Sequence, residues 1–295
     1  MQILVTGFTG QLGRLVAGAL RDQHQICPRV LVRPQHLSQD WEAPRGMEVR
    51  SGDFTDPASL SAALEGCDAV FLVSPVHPEM RSREMALVEQ AAAMPRPPHI
   101  VKISGLGTRL DSFVDSGRWH AEIEQRAREL RLPATFLRPM FFMQNMGRQI
   151  PGVLATGILH GAVEAAAIAM VDARDIAEVA AAVLIGDSPI QGQAVPLTGS
   201  HAFTHEEIAQ ALAVAFGQEV KYERQSSEEM RALLSSLGMP DWHSEIVLQY
   251  NRAFIQGWAS QVSDTVEQVL GRAPRRLEDY FAELATASVS PDDPR

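Results

Sequence analysis

Three glycines near the N-terminus, Gly7, Gly10 and Gly13 in the run Thr6-Gly7-Phe8-Thr9-Gly10-Gln11-Leu12-Gly13, have the spacing of a turn that carries a phosphate ester onto free backbone amides. Gly7 permits the tight turn, Gly10 lets the backbone approach a pyrophosphate, and Gly13 allows the next helix to pack closely on the strand. An apolar Ile3-Leu4-Val5 precedes the run and an amphipathic helix pattern follows it. Amides at such a helix start receive an anion, aided by the helix dipole. This context separates the motif from a tight turn with no ligand. Downstream, a second apolar run ends in Arg33. An acid at that place would accept hydrogen bonds from ribose hydroxyls, whereas an arginine attracts a 2′-phosphate. Arg33, with Arg14 as a second cation, favours NADP(H) over NAD(H), with NAD(H) still compatible; a plain surface arginine is the alternative. In Gly52-Asp53-Phe54, Asp53 can accept from an adenine amino group and Phe54 can lie against its ring. Asp53 can equally cap a turn before Asp56-Pro57.

A second group of residues could move protons. His120 and Glu124 are four apart and share a helix face, so Glu124 could orient the imidazole or raise its pKa. His120 would then protonate or position a substrate carbonyl; an ion pair on a helix surface is the alternative. The tyrosines are Tyr222, Tyr250 and Tyr280, and none has a lysine four positions on, so a Tyr-x-x-x-Lys proton-exchange pair is absent. Met140, Phe141, Phe142, Met143 and Met146 form an apolar cluster that suits either a flat aromatic substrate or a domain interior. Asn145 within it needs polar partners. Asp172 and Asp175 around Arg174 read as helix capping, and no His, Asp or Glu cluster has metal-ligand spacing.

These residues must be held by a framework, and the first half of the chain supplies a repeating one. Apolar runs at 3–6, 29–33, 47–50, 69–73, 99–104 and 134–137 alternate with helical patterns at 13–21, 57–64, 79–93 and 118–130. Consecutive apolar positions predict strands covered on both faces, hence a Rossmann-type doubly wound parallel sheet. After about residue 141 the rhythm changes. Strands are expected at 157–163, 167–171 and 194–197, and helices at 173–185, 204–216, 226–237 and 243–259. Thr204 with Glu207, and Ser226 with Glu229, have capping-box spacing. The expected division is a dinucleotide-binding domain over 1–150, on which the helix at 173–187 packs back, a smaller and mostly helical substrate lobe over 151–287, and a frayed tail over 288–295.

Composition narrows the classes. The 295 residues carry 26 basic and 36 acidic side chains, a formal charge of −10, which disfavours direct nucleic-acid binding. No apolar stretch reaches the length of a membrane-spanning helix, and the N-terminus reads as a strand, not a leader. Cys27 and Cys67 offer no disulfide framework, which fits a reduced, cytoplasmic setting.

The chain resembles the NmrA-like group of atypical short-chain dehydrogenase/reductases, which includes NADPH quinone reductases and triphenylmethane dye reductases. The matching pieces are TGFTGQLG at 6–13, LVRP at 31–34, GDFTDPASLSAAL at 52–64, FLVSP at 71–75, the His120/Glu124 pair, TFLRPMFFMQN at 135–145, VDARDIAEVAAAVL at 171–184 and LTGSHAFTHEEIAQAL at 197–212. The GxxGxxG spacing, in place of GxGxxG, belongs to the same resemblance. It implies that Val73, Ser74 and Pro75 pass beneath the nicotinamide ribose and that Ser104 and Gly105 come near the nicotinamide; Ser104 could also simply end its strand. The expected function is NADPH-dependent reduction of a quinone, dye, enone or other conjugated aromatic molecule. A non-catalytic NADP(H) sensor acting through a protein partner is the first alternative, and a non-redox isomerase or cyclase the second.

Overall fold

The computed structural model describes residues 1–37, 44–105 and 107–289. In chain order the elements are β1 (Ile3–Val5), α1 (Gln11–His24), β2 (Arg29–Val32), β3 (Glu48–Ser51), α2 (Pro57–Leu64), β4 (Ala69–Leu72), α3 (Met80–Ala92), β5 (His99–Ile103), α4 (Asp115–Glu129) and β6 (Ala134–Pro139). They continue with α5 (Gln144–Gly147), α6 (Ile150–Thr156), β7 (Ile158–Gly161), α7 (Ala173–Leu184), β8 (Ala194–Leu197), α8 (His205–Phe216), β9 (Lys221–Arg224), α9 (Ser227–Ser236), α10 (Asp241–Ile255), α11 (Thr265–Leu270) and α12 (Leu277–Val289). The chain divides into two compact units. The first comprises Met1–Arg138, Ile176–Pro196 and Gln268–Gly271; the second comprises Pro139–Asp175, Leu197–Glu267 and the chain from Arg272 on.

The first unit is built on a seven-stranded sheet in the order β3-β2-β1-β4-β5-β6-β8. The pairings from β3 through β6 are parallel. Strands β1, β2 and β4 are wholly buried, which is why β1 and β4 are uninterrupted apolar runs and β2 is apolar after Arg29. The edge strand β3 is half exposed and correspondingly polar. Under the sheet, Leu4, Val70, Leu72 and Ile100 join Leu60 and Leu64 of α2, Leu87 and Val88 of α3, and Ile123 of α4 in one core. Strand order reverses between β1 and β4, the switch point at which doubly wound sheets open a crevice at the strand carboxyl ends. The fold is thus the Rossmann-type α/β arrangement that the apolar rhythm predicts.

The first unit ends at Arg138, earlier than 150, and takes back Ile176–Pro196. The reason lies in β8, whose Gln193 neighbour accepts the Phe136 amide at 2.8 Å and so extends the sheet beyond β6. Most of α7 is buried with it, including Ile176, Val179, Ala180 and Val183.

In the second unit β7 and β9 pair in parallel. Strand β9, Lys-Tyr-Glu-Arg, escapes sequence detection because it is short, charged and mostly exposed. The strand expected at 167–171 is reduced to two isolated bridges, Ile168 to Phe203 and Val171 to Phe142. Both capping boxes form, at Thr204 and Ser226. Helix α12 runs through Val289, so the expected frayed tail does not begin at Ser288; its remainder, 290–295, lies outside the described residues.

Asp172 and Asp175 do more than cap. Asp172 accepts the Arg174 amide at 2.8 Å and also binds its guanidinium at 2.7 Å. Asp175 is fully buried and takes Arg272 Nη2 at 2.8 Å, the Arg275 amide at 2.7 Å and the Arg275 guanidinium, tying the chain ahead of α12 to the start of α7. Because both arginines are partly exposed and can turn to water, Asp175→Asn should cost about 2 kcal/mol, below the range for severing a wholly buried pair. Urea denaturation of the variant against the wild type measures this.

Candidate functional site

The glycine turn follows from close packing at the switch point. Thr6 is buried, and its hydroxyl lies 3.0 Å from the Phe71 carbonyl and 2.9 Å from the Val73 carbonyl while accepting the Val73 amide at 2.9 Å. Its side chain is therefore spent on joining β1 to the end of β4. Gly7 has φ +62°, and a Cβ there would stand 2.7 Å from Val73 Cγ1. The Gly7 carbonyl accepts the Gly10 amide at 2.9 Å, and a Cβ on Gly13 would lie 2.3 Å from that same oxygen. A Cβ on Gly10 would lie 3.2 Å from it. Gly7 and Gly13 are thus required by the turn itself, whereas a Cβ at Gly10 would need its neighbour to give by only a few tenths of an ångström. Phe8 and Leu12 point into the core, while Thr9 and Gln11 are exposed.

Helix α1 begins at Gly10 with no side-chain cap and no acid in its first turn. The amides of its first turn consequently have no side-chain acceptor, in contrast to α2, α8 and α9, which are capped by Asp56, Thr204 and Ser226. Arg14 donates to the Thr9 carbonyl at 3.3 Å and braces the loop. At the end of β2, Arg33 is exposed and its Nη2 lies 2.8 Å from His36 Nε2. Asp53 accepts both the amide and the hydroxyl of Thr55, at 2.9 and 2.7 Å, so it does cap the turn. Those hydrogen bonds, helped by the charges of Arg33 and Arg83, hold its carboxyl below the usual range. Phe54 is partly buried against the core cluster.

At the ends of β4 and β5 lies a buried polar network whose centre the sequence reading did not single out. Ser74 donates its amide and hydroxyl to Glu84 Oε1 at 3.0 and 2.7 Å. Glu84 Oε2 binds Lys102 Nζ at 2.5 Å, and both side chains are buried. Lys102 also contacts the Ile103 carbonyl at 2.9 Å and His120 Nδ1 at 3.1 Å. The signal that could have found it is a lysine inside an otherwise apolar strand. His120 and Glu124 are both buried, so they are no surface pair. Nor does Glu124 serve His120: its carboxylate is taken by Arg138, at 3.0 and 2.6 Å, and by Arg128 at 2.9 Å. The histidine pKa is pushed well down, not up, by burial first and then by the charges of Lys102 and Arg138. Beside this network Ser104 is buried at the end of β5, its amide on the Leu137 carbonyl and its hydroxyl without a partner among the described residues.

The expected pocket residues belong to the second unit. Met140 is half-buried, Phe141 meets Phe254 edge-on at 6.0 Å, and Phe142 bridges to Val171. Asn145 is exposed on α5 and does not sit inside the apolar cluster. Its neighbour Gln144 does the tying, donating to Asp172 at 3.0 Å and accepting the Ala173 amide at 2.9 Å. A cavity of about 860 Å³ lies between α8 and α12 and is lined in part by Met143, Met170, Gln210, Val214 and Leu277. Met140, Phe141, Phe142 and Asn145 are not in its lining.

The depressed histidine has a consequence for stability. A group with a lowered folded-state pKa binds fewer protons in the folded chain, so its contribution is present above the unfolded value and lost as pH falls toward the folded one. Stability should therefore decline below about pH 6.5, and His120→Gln should flatten that decline by up to about 1.4 kcal/mol per pH unit. Urea midpoints for the two proteins at about pH 7 and pH 5 read the difference.

Comparison with known proteins places this geometry in a family. The chain is 33% identical over 288 residues to an NAD(P)H azoreductase of Xenophilus azovorans, covering 98% of each chain. It is 35% identical over 289 residues to a (4-alkanoyl-5-oxo-2,5-dihydrofuran-3-yl)methyl phosphate reductase of Streptomyces griseus, covering 97% of this chain and 98% of the other. Among solved structures, an NADPH-dependent quinone oxidoreductase of Escherichia coli in complex with NADPH superimposes with a TM-score of 0.86 at 26% identity, over 96% of this chain and 99% of that one. The model of the NmrA-like family matches residues 1–282, and the chain belongs to that family.

Proposed function

We propose that the protein is an NADPH-dependent reductase of a conjugated or aromatic small molecule, of the kind represented by quinones, azo dyes and enones. The observation that carries this reading is the uncapped start of α1 at the switch point, with the Ser104 hydroxyl, partnerless among the described residues, at the end of β5. A turn that admits no Cβ at Gly7 or Gly13, uncapped helix amides and a hydroxyl with no partner among the described residues fit a dinucleotide laid across the strand ends. The relatives support it, since an azoreductase and a lactone-type reductase share nearly the whole chain and the Escherichia coli neighbour holds NADPH.

In this reading the first-turn amides of α1 bind the pyrophosphate and Arg33 binds the 2′-phosphate. A guanidinium can only donate, so His36 Nε2 accepts from Arg33, and the remaining N–H groups of Arg33 face outward to an anion. Asp53 retains one carboxylate oxygen beyond the Thr55 bonds for an adenine amino group. Bound there, the dinucleotide supplies a hydride to the acceptor. Ser104 gives its hydroxyl to the nicotinamide end, and His120 faces the acceptor. The tyrosines all lie in the second unit, so the proton-exchange pair of ordinary short-chain dehydrogenases has no counterpart in the first. A conjugated acceptor suits this, because positioning supplies much of the rate and water can protonate the product.

Titration by intrinsic tryptophan fluorescence should find NADPH bound at least roughly tenfold more tightly than NADH, with Arg33→Ala losing most of that preference. A panel of quinones and azo dyes should then oxidise NADPH. Failure to bind either dinucleotide sinks the proposal, and tight binding with no turnover of any acceptor favours a sensor.

A further inference from the structure

Lys102 sits with no exposure in β5, and the geometry around its ammonium is closed. An ammonium has three donors and no acceptor. Three acceptors meet it: Glu84 Oε2 at 2.5 Å, the Ile103 carbonyl at 2.9 Å and His120 Nδ1 at 3.1 Å. With each hydrogen assigned, the ring nitrogen facing Lys102 must present its lone pair. A neutral imidazole carries one N–H, which is then on Nε2.

The charged groups around the ring point the same way. Lys102 reaches it from β5 and Arg138 from β6, and both oppose a second ring proton. The nearby carboxylates are committed elsewhere, Glu84 to Lys102 and Ser74, Glu124 to Arg138 and Arg128. Nε2 lies on the Gly105 side, where a Cβ would stand 3.7 Å from it, so the glycine places no side chain against that N–H.

We propose that Lys102, anchored by Glu84, is a positioning residue that fixes His120 as the neutral Nε2–H tautomer, so that His120 offers the acceptor a hydrogen bond without acting as an imidazolium acid. Hydride arriving at a conjugated acceptor places its electron pair on a carbonyl oxygen or azo nitrogen. The Nε2–H group stabilises that charge, and water delivers the completing proton, leaving hydroxide to the solvent. Glu84 also holds the Ser74 amide and hydroxyl, so the same lysine ties the loop after β4 to the histidine. The acceptor's part in this rests on the reductase reading; the tautomer does not.

The test is long-range proton–nitrogen correlation NMR on the full chain labelled with ¹⁵N-histidine, with the His120 signals assigned by their loss in His120→Gln. The wild type should show an Nε2–H ring that does not change between about pH 5.5 and 8. Lys102→Met should convert it to a mixture of tautomers or to a ring that titrates in that window. Glu84→Gln, which keeps the shape, should do so partly and serves if the lysine variant does not fold. A wild-type ring protonated on Nδ1, or charged at neutral pH, overturns the proposal, as does a Lys102→Met ring identical to the wild type. The pH profile of kcat/KM with NADPH and benzoquinone is read alongside, expected flat in the wild type and inflected in Lys102→Met. An Nε2–H ring with no turnover of any acceptor removes the reductase reading alone. Turnover with a charged or Nδ1-protonated ring removes the lysine's role alone.

Discussion

Everything at the candidate site hangs on how closely β1 and β4 approach where the strand order reverses. Thr6 bonds the end of β4 through both its amide and its hydroxyl, and Gly7 lies so near Val73 that no side chain fits between them. From that contact the chain has one way out, a turn around the Gly7 carbonyl with Gly10 and Gly13 against it. The turn delivers α1 with its amides bare, at the place where a parallel sheet opens. Uncapped helix amides arise here from packing, and Arg33 at the end of β2 adds a charge without altering the framework.

A sheet buried on both faces imposes a second condition: any ion inside it must be fully satisfied. Lys102 meets this with three acceptors, and Glu84 divides its two oxygens between Lys102 and Ser74. Glu124 is satisfied by two arginines, Asp175 by Arg272 and Arg275, and Asp172 by Arg174 together with Gln144. The Asp175 pairs and the Gln144–Asp172 bond tie separated segments of backbone together. The Lys102 network differs because one of its members is an imidazole with a second nitrogen to spare, and it lies beside a serine hydroxyl with no partner among the described residues. Such arrangements are costly unless a ligand completes them, which is why they gather at functional sites.

The chain belongs to the NmrA-like family, and its sequence has no Tyr-x-x-x-Lys pair in the first unit. The chain's relatives include an azoreductase and a quinone oxidoreductase. The first unit carries the glycine turn, Arg33, Ser104 and His120, and the second carries Met140, Phe141 and Phe142.

By itself the sequence determined what depends on neighbours along the chain. Glycine spacing, the alternation of buried strands with helices, and the capping boxes at Thr204 and Ser226 are all local, because a backbone turn or a helix start is settled within a few residues. The family resemblance read from those same segments holds along residues 1–282. Only the tertiary structure decided who meets whom inside. Glu84, Lys102 and His120 stand 18 residues apart in succession, on a helix, a strand and another helix, and nothing local brings them together. The four-residue spacing of His120 and Glu124 suggested a pair, yet burial beside Arg138 gave the carboxylate a stronger partner and left the imidazole to Lys102. Asn145 lacks the buried partners expected of it, and Gln144 has them, since one helical step decides which amide faces Asp172 and which faces water. Spacing along a chain specifies which side chains can share a face, and only the packing of other elements against that face decides which of them are bonded.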